Sequence, residues 1–313
     1  MSFRDRLPQM VGDDLFLTDG GIETVLIFHE GLELPLFAAF DLLKDATGTA
    51  ALRAYYQPYV ALAAASGAGF VAETPTWRAS PRWAGELGYG LDDLARFNRR
   101  AVALMEELRD GHDRVVISGC VGPSDDGYHP AERLSETAAE AYHSVQIGTF
   151  ADTAADMVSA ITMTYAEEAI GVTRAAVGAG LPVAISFTVE TDGRLPSGQS
   201  LGEAITHVDA ATGAAPAYYM INCAHPTHFE AALDGPWVER VRGLRANASR
   251  LSHAELDAAT ELDAGDPLDL GARYAALTAK LPRLNVLGGC CGTDHRHVAA
   301  IAGAWPVRPS LRG

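Results

Sequence analysis

Short apolar runs rich in β-branched residues alternate along the chain with longer, alanine-rich amphipathic stretches. Each apolar run ends in a polar, glycine-rich or proline-rich turn, which is typical of parallel strands that are covered on both faces. The runs lie at Asp14–Gly21, Gly67–Thr76, Arg114–Ser124, Asp156–Thr164, Leu181–Gly193, Ala215–Pro226, Leu244–Ser249 and Arg283–Gly292. The stretches between them predict helices, and one of these, YAEEAIGVTRAAVGAG, ends at Gly178 and Gly180, where glycine favours a helix stop.

Eight strand-then-helix units of similar length predict an α/β protein with a (β/α)8 barrel of the TIM type. An open, doubly wound sheet is the alternative, and eight nearly equal units disfavour it. The chain of 313 residues is long enough for one large barrel, and no stretch has the composition of a linker. We therefore predict a single barrel domain over residues 1–313, with its core from about residue 15 to residue 301.

The charge and composition exclude several classes of partner. The net charge is −16, from 40 acidic and 24 basic residues, and no cluster of Lys and Arg stands out. Nucleic acids and anionic membrane surfaces are therefore not expected as partners. The longest uncharged run, Tyr55–Ala72, contains Pro58 and two glycines, so it favours a buried helix that leads into a strand over a membrane span.

The start of the chain and the cysteine count point to the cytoplasm. The first residues, MSFRDRLPQMVGDD, lack the apolar core of a secretory signal. Four cysteines in 313 residues are too few for a disulfide framework, and clustered thiols in a reducing compartment suggest a metal site or catalysis. Apolar residues on the outer helices are compatible with a homo-oligomer and equally with internal packing.

In a (β/α)8 barrel the chemistry gathers at the carboxyl ends of the strands. Polar or unusual side chains follow most of the predicted strands, and together they define one candidate site. They are Asp19, Glu73, Thr74, Cys120, Thr162, Asn222, Cys223, Cys290 and Cys291.

Three cysteines are candidates for a zinc site. Cys223 ends the sixth predicted strand and the adjacent pair Cys290–Cys291 ends the eighth, so a closed barrel would bring the three thiols together. Gly288, Gly289 and Gly292 would let the backbone bend until both neighbouring sulfurs face one ion. Cysteine is also a common small buried residue, the expected role of Cys120, and a strained disulfide between neighbours is a further alternative. The spacing alone leaves these alternatives open.

Four histidines near these cysteines are weaker candidates for metal ligands. His225 and His228 share a C-x-H-x-x-H pattern with Cys223, but Pro226 interrupts it. Because most histidines are surface or hydrogen-bonded structural residues, we expect these two, and likewise His295 and His297 at the start of the last helix, not to bind metal.

Four segments in order resemble the homocysteine S-methyltransferase family. They are LTDGGIET near the N-terminus, SFTVETDGRLPSG, INC at Ile221–Cys223 and GGCCGT at Gly288–Thr293. The resemblance covers about residues 15–301 and implies a (β/α)8 barrel whose zinc is held by Cys223, Cys290 and Cys291. It also implies methyl transfer from a sulfonium donor, S-methylmethionine or S-adenosylmethionine, to homocysteine, giving methionine.

The resemblance implies a set of substrate-binding residues as well. Asp19 would hold the ammonium group of the acceptor amino acid, and Gly20, Gly21 and Thr74 would bring backbone groups close to it. Asn222 of the INC motif belongs to the same set. Without the resemblance, an aspartate before two glycines is more often a turn or helix-cap residue.

One departure from the family concerns the thiol acceptor. Ile161 stands where the family has a glutamate that also binds the ammonium group, and isoleucine cannot balance a buried charge. Either another carboxylate compensates, or the acceptor is a thiol or selenol without an amino group. The candidates for compensation are Glu23, Glu73 and Glu190. A barrel that binds zinc without catalysis is the remaining alternative.

A second departure concerns the methyl donor. Arg78 stands where the betaine-dependent members have a tyrosine, and Phe37 stands in place of a tryptophan. A cationic side chain would repel a quaternary ammonium group, so betaine is not expected as donor. The usual role of such an arginine is a salt bridge on the surface, which we take as the alternative for Arg78.

Overall fold

Eight parallel strands close into a barrel. A computed structural model describes residues 2–128 and 132–306 of the chain. The strands are β1 (Phe16–Leu17), β2 (Gly69–Glu73), β3 (Val115–Val121), β4 (Met157–Met163), β5 (Val183–Thr188), β6 (Tyr218–Asn222), β7 (Val241–Ala246) and β8 (Val286–Gly289). They pair in sequence order, and β1 also pairs with β8, so the sheet has no open edge. The predicted (β/α)8 barrel is confirmed.

The helices connect the strands around the outside of this barrel. They are α1 (Ala46–Ser66), α2 (Pro81–Glu86), α3 (Leu91–Arg109), α4 (Glu136–Ala151), α5 (Ala166–Gly178), α6 (Leu201–Thr212), α7 (Pro226–Phe229), α8 (His253–Ala258), α9 (Pro267–Leu277) and α10 (His295–Ala304). Several begin at a capping side chain that accepts a backbone N–H: Asp45 caps α1, and Ser200 forms a reciprocal capping box with Glu203 in α6. The caps fix where each helix leaves its preceding loop.

The strand boundaries follow the apolar runs closely, with one shift. The seventh run was predicted at Leu244–Ser249, and the strand lies at Val241–Ala246. Arg242 and Gly243 interrupt the apolar pattern at the true start, which displaces the prediction by three residues. The guanidinium of Arg242 donates to the carbonyls of Gln9 and Gly12 at the amino end of the barrel, so its charge is accommodated there.

The barrel interior changes from apolar to polar along the strands. Phe16, Val71, Val116, Met157, Tyr218, Met220 and Val286 form an apolar cluster toward the amino ends. Because side chains alternate between the faces of a strand, the inward positions that follow these residues are Glu73, Ser118, Ser159 and Arg245. These buried polar side chains form the floor of the carboxyl end of the barrel.

The longest uncharged run is part of the barrel, as predicted. It covers the end of α1, which terminates at Gly67 with φ +69°, and then enters β2. Within residues 2–128 and 132–306 no helix has the length and apolarity needed to cross a bilayer.

Candidate metal centre

Three cysteine sulfurs converge at the carboxyl end of the barrel. The Sγ atom of Cys223 lies 3.2 Å from that of Cys290 and 3.5 Å from that of Cys291, and all three thiols are free. Zn–S bonds near ~2.3 Å in a tetrahedron place sulfurs about 3.8 Å apart, so shifts of a few tenths of an ångström would fit this donor set around zinc. Cys223 is buried and Cys291 is exposed, so the cluster opens to solvent on one side.

The position of Cys223 depends on an unusual backbone conformation. Its φ is +56°, a left-handed value that costs a non-glycine residue about 1–2 kcal/mol. Its carbonyl accepts hydrogen bonds from His253 Nε2 at 2.6 Å and Asn247 Nδ2 at 3.0 Å, and its amide donates to the carbonyl of Arg245. The loop after β7 therefore holds Cys223 in place.

The adjacent cysteines lie on a loop that packs tightly against the loop after β1. A Cβ atom added to Gly21 would lie 2.5 Å from the carbonyl oxygen of Cys290, so the two loops can approach only because residue 21 is glycine. Of the three glycines expected to bend this loop, only Gly292 has a positive φ, at +79°. Gly288 and Gly289 instead leave room for the side chains that pack against β8.

The thiols interact with each other and with a phenol. Hydrogen bonds from Cys223 and Cys291 hold the pKa of Cys290 well below its usual value, whereas those from Cys290 and Cys291 raise that of Cys223. The hydroxyl of Tyr128 hydrogen-bonds the Cys223 sulfur at 2.8 Å, and burial raises the pKa of this tyrosine well above its usual value. The Tyr128 ring packs against that of His253, with centroids 4.4 Å apart.

Asp19 lies beside this cluster, but its carboxylate is already paired. It is 2% exposed, and its Oδ1 atom lies 2.8 Å from Nη2 of Arg245. The Tyr55 hydroxyl donates to its Oδ2 atom at 2.8 Å. Burial raises the pKa of Asp19, and the charge of Arg245 opposes that shift. The neighbouring Gly20 carbonyl also accepts from Tyr55 and Arg245.

Thr74 and Asn222 have internal hydrogen-bond partners. The Thr74 hydroxyl accepts from the Cys120 amide at 2.9 Å. Asn222 is fully buried, and its Oδ1 atom accepts from the amide of Thr162 and the hydroxyl of Ser186. Its Nδ2 atom donates at 2.8 Å to the hydroxyl of Thr162, whose own φ is +68°. Through these hydrogen bonds, both side chains connect neighbouring strand ends around the site.

Ile161 and the three glutamates that could compensate for the missing carboxylate have different surroundings. Ile161 packs within the apolar cluster of the barrel interior. Burial raises the pKa of both Glu73 and Glu23 to about 7, and for Glu23 the nearby charges of Cys290 and Asp19 add to the shift. Glu190 is instead paired with Nδ1 of His253 at 3.1 Å. The charge of Glu23 in turn contributes to the raised pKa of Cys291, so Glu23 and the cysteine pair influence each other electrostatically.

Cys120 and the histidines considered as weaker candidates have other surroundings within the described residues. Cys120 belongs to the apolar cluster, and burial raises its pKa well above the usual value. His225 caps α7 through the Thr227 amide, and His228 hydrogen-bonds the carbonyl of Arg250. The last helix begins at His295, and His297 pairs with Asp294 and the carbonyl of Ala264. The convergent group of potential ligands consists of Cys223, Cys290 and Cys291.

Three residues of the site were missed in the sequence. Arg245 lies two residues after Gly243, so both are on the inward face of β7. The displaced strand prediction obscured this signal. His253 is the first residue of α8 and Tyr128 lies in the loop after β3, and no periodic pattern marks either of them. Their roles follow from tertiary contacts to Cys223.

The fold and the site together define a (β/α)8 barrel protein with a cluster of three thiols at the carboxyl ends of its strands. The family model described as homocysteine S-methyltransferase matches residues 16–305, and the chain belongs to that family. A search among curated protein sequences finds no match to the chain.

Solved structures of the homocysteine methyltransferase MmuM from Escherichia coli share this fold. The oxidised form has 20% identity and a TM-score of 0.73, with 95% of this chain and 98% of that chain covered. The metallated form has 18% identity and the same TM-score and coverage. The apo form has 18% identity and a TM-score of 0.67, over 96% of this chain and 98% of that chain. At these identities the similarity establishes the fold.

Proposed function

We propose that the protein transfers a methyl group from a sulfonium donor, S-methylmethionine or S-adenosylmethionine, to homocysteine in a zinc-dependent reaction that gives methionine. The convergence of the Cys223, Cys290 and Cys291 sulfurs carries the proposal. Membership of the homocysteine S-methyltransferase family and the existence of a metallated form of E. coli MmuM support it. Since such thiols must stay unoxidised, the cytoplasm is the compartment we propose.

The chemistry needs an acceptor thiolate. A free thiol has a pKa near ~8.5 and is mostly protonated at neutral pH. Zinc at this centre would supply a Lewis acid that stabilises the thiolate form of an incoming thiol. In the proposed transfer the acceptor sulfur forms a bond to the methyl carbon, and the bond between that carbon and the donor sulfur breaks with its electron pair returning to the donor.

The chain's own residues shape the acceptor side of the site. Gly20 and Gly21 bring backbone to within contact of the loop that carries Cys290, and we propose that the acceptor lies along this wall. Asp19 is proposed to act there together with its Arg245 partner. Thr74 and Asn222, through the bracing bonds described above, are proposed to support the site. Glu23 and Cys290 influence each other's charge, which makes the carboxylate of Glu23 our candidate for the ammonium group.

A second candidate is the same reaction on a thiol or selenol that has no ammonium group. The buried ion pair between Asp19 and Arg245 favours it, because a substrate ammonium would have to compete with a guanidinium already 2.8 Å away. Ile161 adds an apolar surface where the family has a glutamate. Breaking a buried pair costs about 3–5 kcal/mol, which is a large fraction of a typical binding energy.

Acceptor turnover tests the proposal and separates the two candidates. Zinc-loaded protein would be given S-methylmethionine or S-adenosylmethionine with homocysteine, and in parallel with 3-mercaptopropionate, which lacks the amino group. Methionine formation that is lost in Cys290→Ala and kept in Cys120→Ala supports the first candidate. Turnover of the non-amino thiol alone supports the second. Zinc binding without turnover of any thiol would contradict both and leave a non-catalytic zinc-binding barrel.

A further inference from the structure

Arg78 is buried in the loop between β2 and α2. It is 7% exposed, and its guanidinium lies between two indole rings, 4.3 Å from the Trp77 centroid and 3.6 Å from that of Trp83. Stacking of this kind fixes the plane of a guanidinium and leaves its N–H groups pointing outward along the edge. The surface salt bridge considered for this residue is therefore not its role.

Two nitrogens of the Arg78 guanidinium lack a hydrogen-bonded partner among the described residues. Within the described residues its buried Nε and Nη1 atoms have no acceptor. Burial is the main influence on this group and lowers its pKa, and the charges of Asp126, Tyr128 and Glu23 oppose that shift. Removing a permanent charge from water without a partner is costly, so such a group is normally paired with an anion.

The residue next to Arg78 contacts the carboxyl end of the barrel. The adjacent Trp77 donates from Nε1 to the carbonyl of Ile161 at 3.1 Å, at the end of β4. Tyr128, which contacts the Cys223 sulfur, is among the groups whose charge acts on Arg78. The unpartnered guanidinium thus lies near the end of β4 and the phenol beside the thiols, and not on the outer face of the barrel.

We propose that Arg78 binds the carboxylate of a small-molecule ligand of the methyl-transfer site and so selects anionic over neutral substrates. The proposal rests on the proposed function, since it assigns part of that site. A guanidinium offers two parallel N–H groups to a carboxylate, and one guanidinium balances one negative charge. The carboxylate could belong to the thiol acceptor or to the sulfonium donor, and the recognition chemistry is the same.

Calorimetric binding to zinc-loaded protein tests the proposal with two matched ligand pairs. The thiol pair is 3-mercaptopropionate and its carboxamide, and the sulfonium pair is 3-(dimethylsulfonio)propionate and its carboxamide. We expect the carboxylate of at least one pair to bind about tenfold or more tightly than its amide, as a charge-assisted hydrogen bond predicts. That preference should disappear in Arg78→Met. It should be reduced in Arg78→Lys, which keeps the positive charge but loses the two parallel N–H groups.

Arg82→Met is the matched control. Arg82 also lies over the Trp83 ring, at 5.3 Å, but it is half-exposed and already paired with Asp125 and Glu86. Its replacement should leave the carboxylate preference unchanged. A preference in the thiol pair identifies the acceptor as the source of the carboxylate, and one in the sulfonium pair identifies the donor.

Two results would overturn the role of Arg78. One is binding of thiols without a carboxylate preference in either pair of wild-type protein, which needs no folded variant to interpret and leaves the proposed function standing. The other is a preference that survives in Arg78→Met. Failure of all four ligands to bind would contradict the role of Arg78, while the proposed function is tested separately by homocysteine turnover.

Discussion

The buried acidic residues of the barrel differ in how their charge is compensated. Asp19 has a guanidinium at 2.8 Å and a phenol at 2.8 Å. Glu73 lies one strand away, is 3% exposed, and has a pKa raised to about 7 by burial, against which Arg245 acts at longer range. The two carboxyl groups therefore differ in pairing: Asp19 lies in an ion pair with Arg245, whereas the pKa of Glu73 is raised to about 7.

Replacing Glu73 by Gln should change the pH dependence of stability. A carboxyl group whose pKa is raised from 4.5 to about 7 on folding stabilises the fold fully below pH 4.5, and this contribution is lost as the pH rises through 7. Between pH 5 and pH 8 wild-type protein should therefore lose about 2 kcal/mol of unfolding free energy that Glu73→Gln retains. Urea unfolding at both pH values measures this difference.

The exposed glutamate Glu106 of α3 provides the control, because Glu106→Gln removes the same charge without changing a buried group. If Glu73→Gln and wild-type protein show the same pH dependence, the carboxylate is solvated or paired and the assigned burial effect is wrong.

At the scale of elements, the metal centre is assembled from loops whose spacing is set by glycine. The loop after β1 and the loop after β8 touch at Gly21 and Cys290, residues far apart in sequence but adjacent because β1 pairs with β8. The DGG and GGCCGT motifs therefore pack against each other. The sequence shows that both motifs are present, but it does not show that they are in contact.

Gly21→Ala should disturb the zinc site without touching a ligand. The added Cβ would lie 2.5 Å from the Cys290 carbonyl oxygen, so the loops must separate, at a cost of about 1–3 kcal/mol for overpacking. We expect a lower unfolding free energy and weaker zinc binding, measured by denaturant unfolding and chelator competition. Gly12→Ala, where nothing lies within 4 Å of the added atom, should leave both unchanged. Equal zinc affinity in the two variants would contradict the contact.

The loop after β7 controls the third ligand through the backbone. Nε2 of His253 hydrogen-bonds the carbonyl of Cys223, whose φ is +56°. Groups that orient metal ligands typically contribute 10–100-fold to metal affinity. His253→Ala should weaken zinc binding by about this factor in a competition titration, whereas His228→Ala, which removes a bond to the Arg250 carbonyl, should not. An unchanged affinity in His253→Ala would show that Cys223 holds its conformation without this bond.

The order of strands and helices could be predicted from the sequence more completely than the contacts between side chains. Apolar runs bounded by turns identify strands because both faces of a parallel sheet are buried. The interruption by Arg242 and Gly243 displaces the predicted start of the seventh strand from Val241 to Leu244. The ion pair between Asp19 and Arg245 joins residues on β7 and after β1 that only barrel closure brings together. Tyr128 and Arg78 likewise acquire their surroundings from tertiary packing.

At the scale of the whole molecule, barrel closure gathers the chemistry at one end. The interior is apolar toward the amino ends of the strands and polar toward the carboxyl ends, where the three thiols, the Asp19–Arg245 pair and Arg78 lie. The sequence predicted the three thiols and the end of the barrel on which they lie. The charged groups around them, the Asp19–Arg245 pair and Arg78, become apparent only in the fold.

Zinc K-edge X-ray absorption of the purified, reduced protein tests the metal centre most directly, before and after addition of homocysteine. If Cys223, Cys290 and Cys291 hold zinc and leave one position for the acceptor, the spectrum should show about three sulfur neighbours near ~2.3 Å, rising to about four with homocysteine. Cys290→Ala should lose this signal and Cys120→Ala should keep it. Absence of bound zinc, or a sulfur count that does not rise with any thiol acceptor, would contradict the proposed function.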